Sequence, residues 1–372
     1  MTVRTVSVSL VAAVSVFALA ACAPPSKSSS SSGSGGSAAK ATSASAAGGM
    51  SALVKAAKKE GTLNTIALPP DWANYGAIIK AFSAKYGIKV NSEQPDATSQ
   101  DEIDAAKRTK GTSRAPDVFD LGQAVALANT SMFAKYKVST WNDIGSAFKD
   151  PDGTWVNDYG GYMSIGYDSS KVPAPKSIDD LLGPKYKGKV ALNGDPTTSG
   201  AGFSGVLMAA VAKGGSADNI APGVTFFSQL KKAGNLVPLD PTPATIKSGQ
   251  TPVVIDWDYT NAAVADPPTW KVEVLPHIAV GGFYYQAVNA DAPHPAAARL
   301  WEEFVFSDQG QNLWLAGGAR PVRADAMLKA GTIDKAKYAA LPKVTGTPII
   351  PTTAQTAKAG AYLAKNWSAA VK

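Results

Sequence analysis

Apolar positions along the chain follow two alternating rhythms. Residues 51–59 carry them at helical spacing, and 63-LNTIAL-68 then reads as a short buried strand stopped by Pro69-Pro70. Asp71 stands where a helix N-cap is expected. Tyr75, Ile78, Ile79, Phe82 and Tyr86 follow at helical steps until Gly87. Residues 88–91 resume as a strand, residues 101–110 read as a polar helix, and 116-PDVFDLG-122 reads as a strand ending in a loop, with a helix from Gln123. Such alternation predicts an α/β fold with ligand-accessible loops at the strand ends.

The middle of the chain reads as a second lobe. It begins after the aromatic and glycine-rich crossing 159-YGGYMSIGY-167, contains the loop 193-NGDPTTSGAGF-203 between a strand and a helix, and ends near 251-TPVVIDWDY-259. A second crossing is expected within residues 272–289. Two helices follow, 296–306 and 309–316, the second started by Asp308 and ended by Gly317-Gly318, and residues 353–372 form a packing helix. Lobe 1 on this reading comprises residues 51–160 and 285–372, and lobe 2 residues 161–284. No internal repeat is visible.

The N-terminus changes the picture. Arg4 precedes an apolar stretch, residues 6–19, that is short for a membrane span and ends in 19-LAAC-22. This resembles a bacterial lipoprotein signal with its lipobox. The resemblance implies a signal peptide over residues 1–21 and lipid on Cys22, the only cysteine of the chain. An ordinary secretory signal with an incidental cysteine is the alternative. One cysteine also excludes an intrachain disulfide. Residues 23–50 are almost entirely Ser, Gly and Ala with no run of bulky apolar side chains, and read as a flexible tether from the lipidated Cys22 to the folded part.

The formal net charge of +7 raises nucleic acid as a partner, but the basic residues are scattered and no nucleic-acid motif accompanies them. Enzyme patterns are also missing. Only His277 and His294 occur, with no HExxH, CxxC or GxSxG pattern in the folded part, so no nucleophile–base set, metal site or cofactor is expected. The segment 183-GPKYKGKV-190 approaches a phosphate-binding P-loop. It fails because Val190 stands where Ser or Thr must reach the metal and because it precedes a strand.

Four clusters and one loop suit a ligand instead: Asp71-Trp72, Asp120 to Gly122, 256-DWDY-259 and 281-GGFYYQ-286, with the 193–203 loop. Loops at strand ends that carry aromatic and polar residues recur across both lobes. Plainer readings stand beside these. Asp71 can cap a helix, Trp257 and Tyr285 can be core aromatics, and strand-end acids can be turn chemistry. In the 193–203 loop, unpaired N–H groups at a helix start and small residues make an anion cradle, while Thr198 and Ser199 can equally be caps.

Taken in order, 188-GKVAL-192 leading into 195-DPTTSGAG-202, then TPVVIDWDY, then 294-HPAAARLWEEFVFSDQGQNLWLAGGARPV-322, resemble the extracellular solute-binding proteins of bacterial ABC importers. The subgroup is the one holding ferric-iron, sugar-phosphate, phosphonate, thiamine and polyamine binders, and the resemblance spans about residues 51–318. It implies a two-lobed, type II periplasmic-binding fold with hinge crossings near 159–167 and 272–289. A small solute would sit in the cleft, and closure would present it to permease subunits.

Ser199, Gly200 and Ala201 resemble the helix start that binds phosphate or another anion in such proteins. Iron binders carry adjacent tyrosines where this chain has only Tyr259, its adjacent pair Tyr284-Tyr285 lying later. Polyamine binders match at Trp257 and Tyr285, but Gln286-Ala287 stand where an acid belongs. Asp71, Asp120, Asp256 and Asp258 offer carboxylates to an amine, so anion, cation and zwitterion remain open. The expectation is a monomeric, lipid-anchored, non-enzymatic receptor at the outer face of the cell membrane. The alternatives are a sensor of the same fold without transport, and a secreted hydrolase.

Overall fold

In the computed structural model, which describes residues 38–371, the chain begins lobe 1 with a parallel β–α–β unit. Helix α1 (Met50–Glu60) leads to β1 (Thr62–Ile66), α2 (Tyr75–Tyr86) and β2 (Lys89–Glu93), with Thr62 opposite Lys89. Tyr75, Ile78, Phe82 and Tyr86 are buried, as their spacing requires. The cap position of α2 is Asn74, in left-handed backbone at φ 69°, rather than Asp71. Asn74 is anchored by its own amide, which donates to the Leu313 carbonyl at 2.8 Å, and Asp71 is left exposed. Helix α3 (Ser99–Thr109) starts on a capping box of Thr98 and Asp101. Strand β3 (Val118–Leu121) then runs into the short α4 (Gln123–Ala128), and β4 (Phe133–Ala134) follows.

One strand organises the rest. β5 (Val156–Asp168) pairs along its first half with β9 (Gly281–Asn289), and along its second half with β7 (Val253–Trp257) and β8 (Trp270–Glu273), all antiparallel. The sheet order is β3-β9-β5-β7-β6, with β6 (Val190–Leu192) parallel to β7; β4 pairs β9, and β10 (Arg320–Pro321) pairs β5. Pairing with β9 ends at Tyr162 and pairing with β7 begins at Met163, so β5 crosses between lobes without a linker. Gly160 makes the crossing possible. A Cβ there would overlap the Gly282 carbonyl oxygen and the Phe283 ring.

Lobe 2 adds α5 (Gly200–Ala212), α6 (Ala221–Lys232), α7 (Pro243–Ser248) and α8 (Asp258–Ala262). The chain returns through β9 to α9 (Pro295–Val305) and α10 (Asp308–Ala316), followed by α11 (Ala324–Ala330), α12 (Lys335–Ala340) and α13 (Thr353–Val371). His294 is fastened at the start of α9, its Nδ1 2.9 Å from buried Asp117. Trp314 of α10 stacks on Tyr159 at 4.3 Å and meets Tyr75 edge-on at 4.7 Å. Tyr159 in turn lies parallel to Tyr284 at 5.4 Å, which carries the aromatic core of lobe 1 to the floor of the cleft.

Two domain expectations are corrected. Residues 38–50 are packed structure, not tether. Ala38, Ala41, Ala44 and Ala47 are all buried in the main core, the Ala41 carbonyl accepts from Arg299 Nε at 2.7 Å, and Lys137 N donates to the Thr42 carbonyl at 2.9 Å. A methyl group at every third position lets the backbone lie close to the body without any bulky side chain. Helix α13 is also not a part of lobe 1 alone, because it packs on both α6 and α4. The expected signal peptide and Cys22 lie outside the described residues. Among the described residues no helix is long and apolar enough to cross a membrane.

Candidate functional site

A cavity of about 380 Å³ lies where the lobes meet, within the size range of small-molecule sites. Lobe 1 contributes the turn from β3 into α4, and lobe 2 the 196–200 loop with the start of α5. The beginning of β9 forms the floor, and residues 350–356 close a third side. The lobes touch here. A Cβ built on Gly122 would be 3.7 Å from the Gly200 Cα.

The lobe 2 rim is braced from within. Asp195 Oδ1 accepts from the Thr197 N–H at 2.8 Å and from its hydroxyl at 2.6 Å. Ser199, in extended backbone, caps α5: its Oγ accepts from Gly202 N at 3.1 Å and donates to the Asn193 carbonyl at 3.0 Å. The N–H groups of Gly200 and Ala201 begin the helix and so have no intrahelical acceptor. Across the gap, Ser99 Oγ accepts from Gly122 N at 3.0 Å.

The remaining wall is aromatic. Phe283 packs on Phe148 at 4.8 Å, and Tyr285 on Trp155 at 4.7 Å. Trp257 is 3% exposed. Tyr284 lies beside it, and its phenol is held well above the usual range by burial, then by Asp120 and Asp256. Among the described residues, no Asp, Glu, Lys, Arg or His lines this cavity.

The sequence candidates therefore separate into two groups. Thr198, Ser199, Gly200, Trp257 and Tyr285 stand on the wall. Ala201 is buried behind it. Asp71 is exposed and off the wall. Trp72 lies a layer below, its indole N–H donating to the Tyr159 hydroxyl at 2.7 Å and its ring edge-on to Tyr259 and Tyr284. Tyr259 is buried with an unpartnered hydroxyl.

Asp120 accepts from the Tyr159 hydroxyl at 3.1 Å, and Asp256 from Asn193 Nδ2 at 2.8 Å; burial pushes both carboxyls up to about 7. Asp258 is buried against Arg320, 3.2 Å away. Arg323 pairs with Asp143 at 2.6 Å and Asp308 at 2.9 Å. None of the four aspartates proposed for an amine reaches the cavity, and neither arginine does. The sequence reading missed Ser99, Gln123 and Asn157. The same strand–loop–helix logic that marked the 193–203 loop applies at Gly122-Gln123 and could have found that side.

The family model for bacterial extracellular solute-binding proteins matches residues 116–346. The chain belongs to that family: it is a bacterial extracellular solute-binding protein, and not an enzyme. No curated protein matches it in sequence.

Among solved structures, the periplasmic binding protein P5PA superposes with a TM-score of 0.65 at 18% identity, covering 84% of this chain and 100% of that one. AgtB from A. tumefacien R10, in complex with agropinic acid, gives 0.63 at 14% identity, covering 84% and 98%. Iron-bound HitA from Pseudomonas aeruginosa gives 0.61 at 20% identity, covering 83% and 99%. These similarities establish the α/β periplasmic-binding fold.

Proposed function

We propose that the interlobe cleft captures a small solute bearing an anionic group and a flat or apolar body, and that closure delivers it to a permease. The observation that carries this reading is the wall itself. It combines a helix start with rings and hydroxyls, and among the described residues no charged side chain lines it. Backbone N–H groups and the helix dipole favour an anion without a basic residue. An amine would lack the carboxylate that a desolvated cation needs. Ferric iron suits the wall poorly. Among the described residues no group of His, Cys, Asp and Glu is placed to hold a metal, and burial disfavours a Tyr284 phenolate. The solute class is thus phosphate- or carboxylate-bearing rather than polyamine.

Ser199→Asp tests the anion seat. Aspartate still caps α5, yet places a negative charge at the proposed seat. Melting curves with saturating phosphate esters and phosphonates should rise by about 5 °C for the wild-type chain, as ligand linkage at a hundredfold excess over Kd requires. The variant should show no rise, and spermidine, thiamine and ferric citrate should leave both unmoved. A rise with amines only, indifferent to Ser199→Asp, would sink the proposal.

Anchoring through lipid on Cys22 completes the reading, supported by the lipobox-like 19-LAAC-22. Fractionation of cells expressing Cys22→Ser should find the chain released from the membrane pellet. Retention equal to wild type would remove the lipid from the account.

A further inference from the structure

The family match ends at residue 346, but the cleft does not. The segment that follows runs beside the second crossing, with Ile349 N donating to the Ala279 carbonyl at 2.8 Å and Gly281 N to the Ile349 carbonyl at 3.0 Å. It then meets lobe 1 along α4, where one side chain takes its hydrogen bonds. Gln123 Nε2 donates to the Pro351 carbonyl at 2.9 Å, and the Thr356 hydroxyl donates to Gln123 Oε1, also at 2.9 Å. Both ends of that amide are held by the segment.

From Gln355 onward the segment also attaches to lobe 2. Ala359, Leu363 and Trp367 continue the buried stripe of α13 at helical spacing. Trp367 meets Phe227 of α6 edge-on at 5.3 Å, and Gln355 Nε2 donates to Asp218 Oδ2 at 2.9 Å. These two joints are unequal. The lobe 2 joint buries a Trp and a Leu in the main core, while the lobe 1 joint is a smaller contact with α4 closed by two neutral hydrogen bonds that are only partly buried. Neutral hydrogen bonds contribute far less than burial of large apolar side chains.

We propose that residues 347–371 are a clip across the cleft: they ride on lobe 2 and hold lobe 1 through Gln123, so the cleft opens by breaking the Gln123 pair. Helix α13 travels with α6 during that motion, and its first turn leaves the wall of the cavity as the lobes part. The clip thereby sets how often the empty protein stands open. This deepens the interlobe-cleft reading, but its test needs no solute.

The experiment uses the full chain with Cys22→Ser and spin labels at Lys107→Cys and Lys187→Cys, both exposed and on opposite lobes. The label-to-label distance distribution is recorded by pulsed electron resonance with nothing added. Wild type should give a single short distance. Gln123→Leu and Thr356→Val should each raise the ratio of long to short distances about tenfold, as the loss of one or two hydrogen bonds implies, and Thr356→Ser should restore the wild-type distribution. A role confined to holding the fold together would lower the melting temperature and leave the distances alone. Unchanged distances in both variants, with or without a lower melting temperature, overturn the clip. Because no solute is present, failure of the anion reading would leave this result untouched.

Discussion

Gly160→Val should leave little folded protein, and Gly160→Ala should lower the free energy of unfolding by about 3 kcal/mol or more, beyond the usual range for a single substitution. The cause is backbone against backbone. The new Cβ would overlap the Gly282 carbonyl oxygen and press on Phe283 ring carbons 2.7 Å away. A side chain in the way can rotate; a strand carbonyl cannot, so β5 and β9 must part where the lobes join. Gly360→Ala is the contrasting variant. Nothing lies within 4 Å of a Cβ there, and helix propensity predicts a gain of about 0.5–1 kcal/mol. Urea unfolding of the two alanine variants checks both signs. Equal stability for Gly160→Ala and wild type would mean that the crossing is looser than described.

Stability should also fall as the pH rises from 5.5 to 8.5, by several kcal/mol. Burial pushes Asp120 and Asp256 up to about 7. Burial, then Glu303 and Asp120, push Glu302 up to about 8. Asp158 and Glu102 are raised as well, again mainly by burial. Unfolded carboxyls titrate near 4. Between there and about 8 the folded chain therefore binds more protons than the unfolded chain, and stability drops with pH through that window. The protonation of His294, favoured by its hydrogen bond to Asp117, acts in the same direction. Carboxyls held low, such as Asp101 and Asp180, lose their contribution only under more acidic conditions and do not oppose the trend here. Asp256→Asn keeps an oxygen for Asn193 and should flatten the profile of urea midpoints against pH. A profile that climbs over this window would mean that the buried acids are ionised and compensated.

Both rhythms of the sequence became the elements they predicted, because burial on one face enforces a period. Tyr75, Ile78, Phe82 and Tyr86 of α2 and the apolar run of β7 are of this kind. The order of phrases along the chain was enough to identify the fold. Facing was harder to read. Neighbours on a strand point to opposite sides, so Asp256 and Trp257 could not both reach the cleft. The alternation alone does not say which one does; the structure gives it to Trp257. Tyr284 and Tyr285 both reach the wall, next to a stretch where the β5–β9 register shifts between Asn157 and Gly160.

The alanines at 38, 41, 44 and 47 were invisible because compositional reasoning treats small residues as solvent-facing, while close approach is what a methyl group permits. The third wall was invisible for a different reason. Gln123 and Thr356 are joined by two lobes' worth of intervening chain, and nothing local to either announces the other.

β5 belongs to both lobes at once, and its hydrogen bonds pass from β9 to β7 between consecutive residues. The lobes can pivot, but neither can come apart while the other keeps its half of the strand, so they lose structure together. A protease that depends on such global opening meets its substrate only as often as the whole chain unfolds. Whatever seals the cleft therefore guards peptide bonds on the far faces of both lobes, and outside a cell, where nothing refolds a nicked protein, a loaded receptor outlasts an empty one.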